Sequence, residues 1–161
     1  MLVISDTSPI TNLLKINKLD VLKTLFAEVV VPEMVHQELL AWKSLGGDIS
    51  DYENAAWIKT ASPNNLSLIN QLRVDLDAGE AEAIALATEL KADYLLIDER
   101  RGWKQAKSLG LNAIGVVGIL LQAKYQGEIL EVMPIIDELR TKAGFWLSEE
   151  FYQKLKVLVK E

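Results

Sequence analysis

Cysteine is absent from this chain of 161 residues, and histidine occurs once, at His36. The lack of cysteine excludes disulfide bonds, thiolate metal sites and a cysteine nucleophile. It also agrees with a reducing compartment, so we expect a cytoplasmic protein. A lone histidine on a predicted helix is more often structural or exposed than a metal ligand. Any metal site in this chain is therefore expected to use oxygen ligands.

The chain also lacks a long hydrophobic segment and a basic leader. Its longest run without a charged residue, between Lys107 and Lys124, is too short and too polar to span a bilayer. No basic region precedes the apolar residues at the N-terminus, so we expect no signal peptide. The length predicts a single domain over residues 1–161 with no membrane partner.

Positive charge is scarce, because 17 lysine and arginine residues stand against 23 acids and the net charge is −6. This balance argues against a protein that coats nucleic acid through bulk positive charge. It does not exclude an enzyme that acts on nucleic acid locally. A metal site would contribute several of the carboxylates, and bound cations would offset them.

Short apolar segments alternate with helical patterns along the chain. The predicted strands span residues 2–5, 28–31, 57–61, 93–98 and 111–114, and helices fill most of the remainder. This alternation predicts an α/β fold with a mainly parallel sheet. The C-terminal helices, from about residue 128, are expected to pack on the sheet or to extend the domain.

Two of the predicted strands end in aspartate, at Asp6 and Asp98. Ligands bind at the carboxyl ends of parallel strands, and a carboxylate buried there needs a metal or a hydrogen-bond donor as its partner. The two residues lie close together only if their strands are neighbours. A competing interpretation is that Asp98 caps the helix that follows it, since aspartate is a favoured N-cap.

Glu38 lies on or beside a helix face that should be buried. It follows Met34 and Val35 at helical spacing, and acids are rarely buried without a partner. We therefore predict that it belongs to a functional site. The alternatives are a boundary residue that reaches solvent and an ion pair with Lys43.

Glu80 begins the apolar stripe of the strongest predicted helix, which spans about residues 77–91. The spacing of Asp77 and Glu80 is that of a capping box, which would explain the glutamate without catalysis. Glu82 has Asp75 and Glu89 seven residues to either side, which indicates an acidic, solvated face. Of the two glutamates, Glu80 is therefore the better candidate for the site.

If Asp6, Glu38, Glu80 and Asp98 converge, they cannot all stay ionised without cations. Their oxygen atoms suit Mg²⁺ or Mn²⁺ rather than Zn²⁺. Such a site can activate water and stabilise the charge that develops in phosphoryl transfer, so no protein nucleophile is required. Ser8 has no evident His–Asp pair to activate it, although its hydroxyl, or that of the preceding threonine, could orient Asp6.

The segment 99–107 carries four basic residues and a tryptophan beside the proposed metal site. We predict that Arg100, Arg101 and Lys104 contact a phosphate backbone. Trp103 could stack on a base, although inward packing is the favoured interpretation for this residue. The alternative is an ordinary solvated helix face, with Trp103 packed inward.

The sequence resembles the PIN-domain family, specifically its single-domain prokaryotic branch related to VapC-type toxins of toxin–antitoxin pairs. The resemblance is carried by the order and spacing of four segments, with a weaker fifth. They are ISDTSP at 4–9, Val31-Pro32 followed by Glu38, GEAEAI at 79–84, LIDER at 96–100, and GVVG at 115–118.

The resemblance implies a three-layer α/β/α fold with a central, mainly parallel, twisted sheet. It implies that Asp6, Glu38, Glu80 and Asp98 form an acidic quartet for Mg²⁺ or Mn²⁺. Glu99 is an additional candidate ligand, and Glu82 competes with Glu80 for the third position. The implied activity is that of a metal-dependent endoribonuclease, and the implied partners are RNA, a second copy in a homodimer and an antitoxin protein.

Two other functions stay open. One is a catalytically silent binding module that dimerises or holds a partner. The other is an aspartate-based phosphatase with Asp6 as nucleophile, although such enzymes need a second aspartate where this chain has Ser8.

Overall fold

A five-stranded parallel sheet forms the centre of the computed structural model, which describes all 161 residues. The strands are β1 (Val3–Ser5), β2 (Val29–Pro32), β3 (Ile58–Ala61), β4 (Tyr94–Leu96) and β5 (Ala113–Ile114). Their order in the sheet is β3-β2-β1-β4-β5, and every neighbouring pair is parallel.

Ten helices cover the two faces of this sheet. They are α1 (Thr7–Lys15), α2 (Asp20–Phe26), α3 (Glu33–Ser44), α4 (Ser50–Glu53), α5 (Leu66–Leu72), α6 (Ala78–Leu90), α7 (Arg100–Ser108), α8 (Val116–Tyr125), α9 (Met133–Lys142) and α10 (Glu149–Val159). None of them has the length and apolar character needed to cross a membrane.

Alternate strand residues face two separate hydrophobic cores. Val3 and Leu96 belong to the larger core, which includes residues of α1, α2, α3, α8, α9 and α10. Ile4 and Leu95 belong to the smaller core, which includes residues of α5, α6 and α7. This period of two is expected of strands covered on both faces. The predicted three-layer α/β/α fold with a parallel sheet is therefore confirmed.

The chain changes direction across the sheet at β1. It runs outward from β1 through β2 to β3, and it then crosses to the other side of β1 to form β4 and β5. The backbone N–H of Asp6 donates a 2.9 Å hydrogen bond to the carbonyl of Leu96, so the carboxyl ends of β1 and β4 are joined. A switch of this kind leaves a crevice at the strand ends, where ligands bind in open α/β sheets.

Two helix boundaries test the predictions at residue level. The break expected near Asn17 is confirmed, because this residue has a positive φ of 56° between α1 and α2. A helix is also expected to begin at about residue 128, and this predicted boundary is wrong, because α9 begins at Met133. Pro134 explains the difference, because a proline ring clashes with the carbonyl four residues earlier in a continuous helix.

Candidate active site

Asp6 lies between β1 and α1 and is 2% exposed. Its Oδ1 atom is buried and has no hydrogen-bond partner. Burial raises the pKa of this carboxyl well above its usual range, and the nearby charges of Asp77, Glu80 and Glu38 raise it further, whereas the backbone N–H of Thr7 lowers it. Asp6 therefore costs free energy in its ionised form unless a cation or a proton joins it.

Glu38 is fixed by hydrogen bonds from two other elements. Its Oε2 accepts a short hydrogen bond from the Thr7 hydroxyl, and its Oε1 accepts one of 3.0 Å from the backbone N–H of Gly79. Burial raises the pKa of Glu38, and Asp77 adds to this effect. The alternative of an ion pair with Lys43 is wrong, because Lys43 pairs with Glu53 at 2.9 Å.

Glu80 is explained only in part by its place at the start of α6. The predicted capping box is present, because Asp77 Oδ1 accepts from the Glu80 N–H at 2.8 Å and Glu80 Oε1 accepts from the Asp77 N–H at 3.3 Å. The other oxygen, Oε2, is buried without a partner, and the residue is 7% exposed. Burial is the largest cause that raises the pKa of Glu80 to about 7.

Asp98 does not cap the helix that follows it, so that interpretation is wrong. Glu99 occupies the cap position of α7. The Oδ1 of Asp98 instead accepts from the N–H of Val116, the first residue of α8, at 2.7 Å, and its Oδ2 accepts from the Asn12 amide at 3.2 Å. Burial raises the pKa of Asp98 to about 6, partly opposed by these two hydrogen bonds.

Three glycines stand directly against three of the acids. A Cβ at Gly79 would overlap both carboxylate oxygens of Glu38. A Cβ at Gly102 would lie 2.8 Å from Oε2 of Glu80, and one at Gly115 would lie 2.6 Å from Oδ1 of Asp98. Each glycine therefore leaves space for a carboxylate that a larger residue would displace.

The four predicted acids fall into two neighbouring groups. Asp6, Glu38 and Glu80 interact electrostatically around Asp77, whereas Asp98 interacts with Glu99. Glu99 also raises the pKa of Glu80 and so connects the groups. As the side chains stand, no three of the acids, with or without the histidine, are close enough to hold one metal ion.

Asp77 is the site residue that the sequence interpretation missed. The sequence pattern indicates only a capping role for it, yet its charge raises the pKa of Asp6, Glu38 and Glu80. The spacing from Asp77 to Glu80 is a signal for proximity, because a capping box brings the two side chains together.

The remaining candidates have mixed surroundings. Glu82 is half-buried rather than fully solvated, and burial raises its pKa. The hydroxyl of Ser8 makes no hydrogen bond to Asp6, and that of Thr7 is used by Glu38. His36 is structural, as expected, because its Nδ1 lies 2.7 Å from the Tyr52 hydroxyl.

Helix α7 presents basic side chains beside the acids. Arg100, Arg101 and Lys104 are exposed, and none of them pairs with a carboxylate. Trp103 is 40% exposed, its Nε1 donates to the carbonyl of Ala113 at 3.2 Å, and the Lys107 ammonium lies 5.4 Å from its ring centroid. The tryptophan is thus anchored at one edge and covered by a lysine, rather than packed fully inward.

Comparison with known proteins agrees with this architecture. No curated protein is similar enough to the chain to count as a relative. Among solved structures, the chain is similar to a PilT N-terminus domain protein, SSO1118, from the hyperthermophilic archaeon Sulfolobus solfataricus P2. The two share 24% identity over 76% of this chain and 93% of that protein, with a TM-score of 0.53, which supports the fold alone. The DUF3368 family model, described as a PIN domain, matches residues 2–161. The chain therefore belongs to the PIN-domain family.

Proposed function

We propose that this protein is a metal-dependent endoribonuclease that uses Mg²⁺ or Mn²⁺ to hydrolyse RNA phosphodiester bonds. PIN domains are generally nuclease-like, which supports the reaction class. The single observation that carries the proposal is the pair of buried, unpartnered oxygens, Oδ1 of Asp6 and Oε2 of Glu80, at the carboxyl end of the sheet. Buried carboxylate oxygens without a partner in such a place are typical of a site that takes an ion or other ligand.

The donor chemistry of the site fits a hard divalent cation. Asp6, Glu38, Glu80 and Asp98 would hold it, and Glu99 and Glu82 are additional candidates. All of these residues offer oxygen ligands, which Mg²⁺ and Mn²⁺ prefer. Since no three acids are within reach of one ion as they stand, binding requires the side chains to draw together. A bound cation would supply the positive charge that offsets the acids and the negative charge developing at the phosphate.

The acids are held in ways that suit different roles. Glu38 and Asp98 each have both carboxylate oxygens hydrogen-bonded, so they act as fixed points of the site. Glu80 has one free oxygen and a pKa of about 7, which suits a group that orients water and takes its proton near neutral pH. Arg100, Arg101 and Lys104 would position the RNA backbone from α7.

The resemblance to VapC-type proteins supports a wider biological proposal. We infer that the protein acts in the cytoplasm as a homodimer and as the toxin of a toxin–antitoxin pair. A neighbouring reading frame that encodes a small partner, together with copurification of the two chains, would test this part separately from catalysis.

The test of the proposed activity is RNA cleavage with Mg²⁺ or Mn²⁺ by wild type and by the Asp6→Asn variant. We expect cleavage by wild type, none in EDTA, and a large loss in Asp6→Asn. Asp51→Asn is the matched control, because Asp51 is an exposed aspartate on α4 that makes no side-chain hydrogen bond or ion pair. Equal cleavage by wild type and Asp6→Asn would assign the activity to another site or to a contaminant.

A second candidate, a catalytically silent binding module, is favoured by one observation. The acids do not converge closely enough to hold an ion as they stand. A Mn²⁺ titration separates the two functions, because a ligand that binds only the folded state must stabilise it. A protein that neither binds Mn²⁺ nor gains thermal stability from it would be a binding module.

A further inference from the structure

A polar cleft opens beside Asp98 and Glu99, outside the group of acids around Asp77. Its volume is about 420 Å³. One wall is the exposed side of α1, with Ser8, Asn12 and Lys15, and the opposite wall is the loop before α10. The cleft therefore joins the proposed catalytic acids to a part of the chain that the proposed function has not yet used.

Trp146 stands at the rim of this cleft and is 80% exposed. The residues on either side of it are anchored, because Phe145 packs against the larger core and Leu147 is buried. The loop thus holds an indole outward that could otherwise be buried with its neighbours. An exposed tryptophan fixed in this way makes its indole available to whatever enters the cleft.

The facing wall offers uncharged hydrogen-bonding groups and one cation. Asn12 donates to Asp98 at 3.2 Å, but its own Oδ1 accepts no hydrogen bond from the chain. The Ser8 hydroxyl is similarly free. Lys15 forms no ion pair, and its ammonium lies 5.6 Å from the ring centroid of Trp42. An indole opposite an amide, a hydroxyl and a lysine matches an unstacked nucleobase and its adjoining phosphate.

We propose that this cleft binds one unstacked base of single-stranded RNA, which stacks on Trp146 and is met at its edge by Asn12. The inference rests on the proposed ribonuclease function, since it places the base next to the acids that would cleave the chain. A protein segment is the competing occupant, because exposed tryptophans also anchor protein interfaces. Tryptophans that anchor protein interfaces lie in well-packed surroundings from which water is excluded. The lining of this cleft is polar, which favours RNA as the occupant.

The test is equilibrium binding of a fluorescein-labelled single-stranded oligoribonucleotide, measured by anisotropy in EDTA at low salt so that cleavage plays no part. A length of about eight nucleotides lies within the usual site sizes of proteins that bind single-stranded nucleic acid. We expect Trp146→Ala to weaken binding by roughly 5-fold to 150-fold, the loss typical of one stacked base, and Trp146→Phe to retain most of the affinity. Tyr125→Ala is the matched control, because Tyr125 is an aromatic residue on α8, 92% exposed, that lines a different groove.

Two outcomes would overturn the proposal. One is a wild-type protein that does not bind the oligonucleotide, and the other is equal affinity for wild type and Trp146→Ala. In the second case, a loss of self-association by Trp146→Ala in sedimentation would assign the tryptophan to a protein interface.

Cleavage assays distinguish failure of this inference from failure of the proposed function. If wild type binds RNA through Trp146 but does not cleave it with Mg²⁺ or Mn²⁺, the base site stands and the nuclease proposal fails. If wild type cleaves RNA and Trp146→Ala cleaves it with an unchanged KM, the nuclease proposal stands and the base site fails.

Discussion

The backbone N–H of Gly79 donates a 3.0 Å hydrogen bond to Glu38, and both carboxylate oxygens of Glu38 fill the space that a side chain at Gly79 would need. This contact joins the start of α6 to the middle of α3. It holds Glu38 in the site in two ways, because the N–H of Gly79 donates a hydrogen bond and the missing side chain leaves room for the carboxylate. The glycine is thus as much a part of the acidic site as the glutamate it contacts.

Replacing Gly79 with alanine should displace Glu38. In an unobstructed helix, alanine would be more stable than glycine by about 1 kcal/mol. Here the added Cβ overlaps the carboxylate, and overpacking of this kind costs about 1–3 kcal/mol. We expect a net loss of about 1 kcal/mol in unfolding free energy and a loss of cleavage on the order of 100-fold, because a small misplacement of a catalytic group is costly.

Gly118 supplies the matched control, because it also lies in a helix but has room for a side chain. A Cβ there would lie 3.5 Å from that of Ile114, an ordinary van der Waals contact. Gly118→Ala should therefore gain up to about 1 kcal/mol in stability and leave cleavage unchanged. Denaturant unfolding and RNA cleavage measure both variants. Equal behaviour of the two would mean that Gly79 has no special relation to Glu38.

Much of the fold could be predicted because it depends on local patterns. The β-branched run at Val29–Val31 and the capping box at Asp77 each specify an element by themselves. The sequence does not predict by itself that β1 and β4 are neighbours. The proposed site only requires it, because Asp6 and Asp98 can lie close together in no other arrangement. The structure meets that condition, because β1 and β4 are neighbours and Asp6 and Asp98 follow their carboxyl ends.

The partners of the acids could not be predicted, because they come from distant parts of the chain. Asp98 is held by Asn12 and Val116, which are far from it in sequence. Its strand-end position suggested a local cap instead, and the tertiary contact prevailed. The three glycines beside the acids could not be predicted either, since a glycine in a helix or at its cap usually indicates a local backbone preference rather than a close approach to another element.

Asp6→Asn should make the metal-free protein more stable while it abolishes cleavage. The Asp6 carboxylate is buried, has an unpartnered oxygen and is repelled by three nearby acids. Asparagine removes the charge and with it the repulsion from these acids. We expect a gain on the order of 1 kcal/mol in EDTA at pH 8, the usual size when strain at a functional site is relieved.

Thermal unfolding with and without Mn²⁺ measures this effect. Mn²⁺ should stabilise wild type and have little effect on Asp6→Asn, and Asp51→Asn should behave as wild type in both conditions. An Asp6→Asn variant that is less stable than wild type in EDTA would contradict the view that the buried Asp6 carboxylate lowers the unfolding free energy of the metal-free protein.

Stability without metal should fall as pH rises through the acidic and neutral range. Burial raises the pKa of Glu80 from its ordinary value near 4.5 to about 7, and that of Asp98 from 3.8 to about 6. At a pH between the ordinary pKa of each group and its raised pKa in the folded protein, the folded protein binds more protons than the unfolded chain. Raising the pH in this range therefore favours unfolding. These two groups therefore contribute a loss of stability between about pH 4 and pH 7.

Unfolding midpoints measured in EDTA at several pH values test this slope. Mn²⁺ should counteract it at pH 8, where the acids are ionised, and should have less effect at pH 5, where protons compete for the same oxygens. A metal-free protein whose stability rises from pH 5 to pH 7 would show that the acids are not destabilised by burial.

Arg100 and Arg101 should contribute to RNA binding through charge. Both are exposed on α7, next to the cap residue Glu99, and neither is paired with a carboxylate. Removing one arginine–phosphate interaction should weaken binding and lower the slope of log affinity against log salt by about 0.7 for single-stranded RNA. We therefore expect the Arg100→Ala/Arg101→Ala variant to lose affinity mainly at low salt. Lys23→Ala is the control, because Lys23 is exposed near the end of α2, which leads into the amino end of β2.

The salt dependence of RNA affinity shows which role the arginines have, because phosphate binding weakens with salt and structural support of the site does not. If they bind phosphates, the double variant and wild type should approach each other in affinity as salt screens the charges. If the variant loses the same factor in affinity at every salt concentration, the residues support the shape of the site instead. Since the chain carries a net charge of −6, most of its surface should repel RNA, and the basic face of α7 is where we expect the strongest electrostatic attraction.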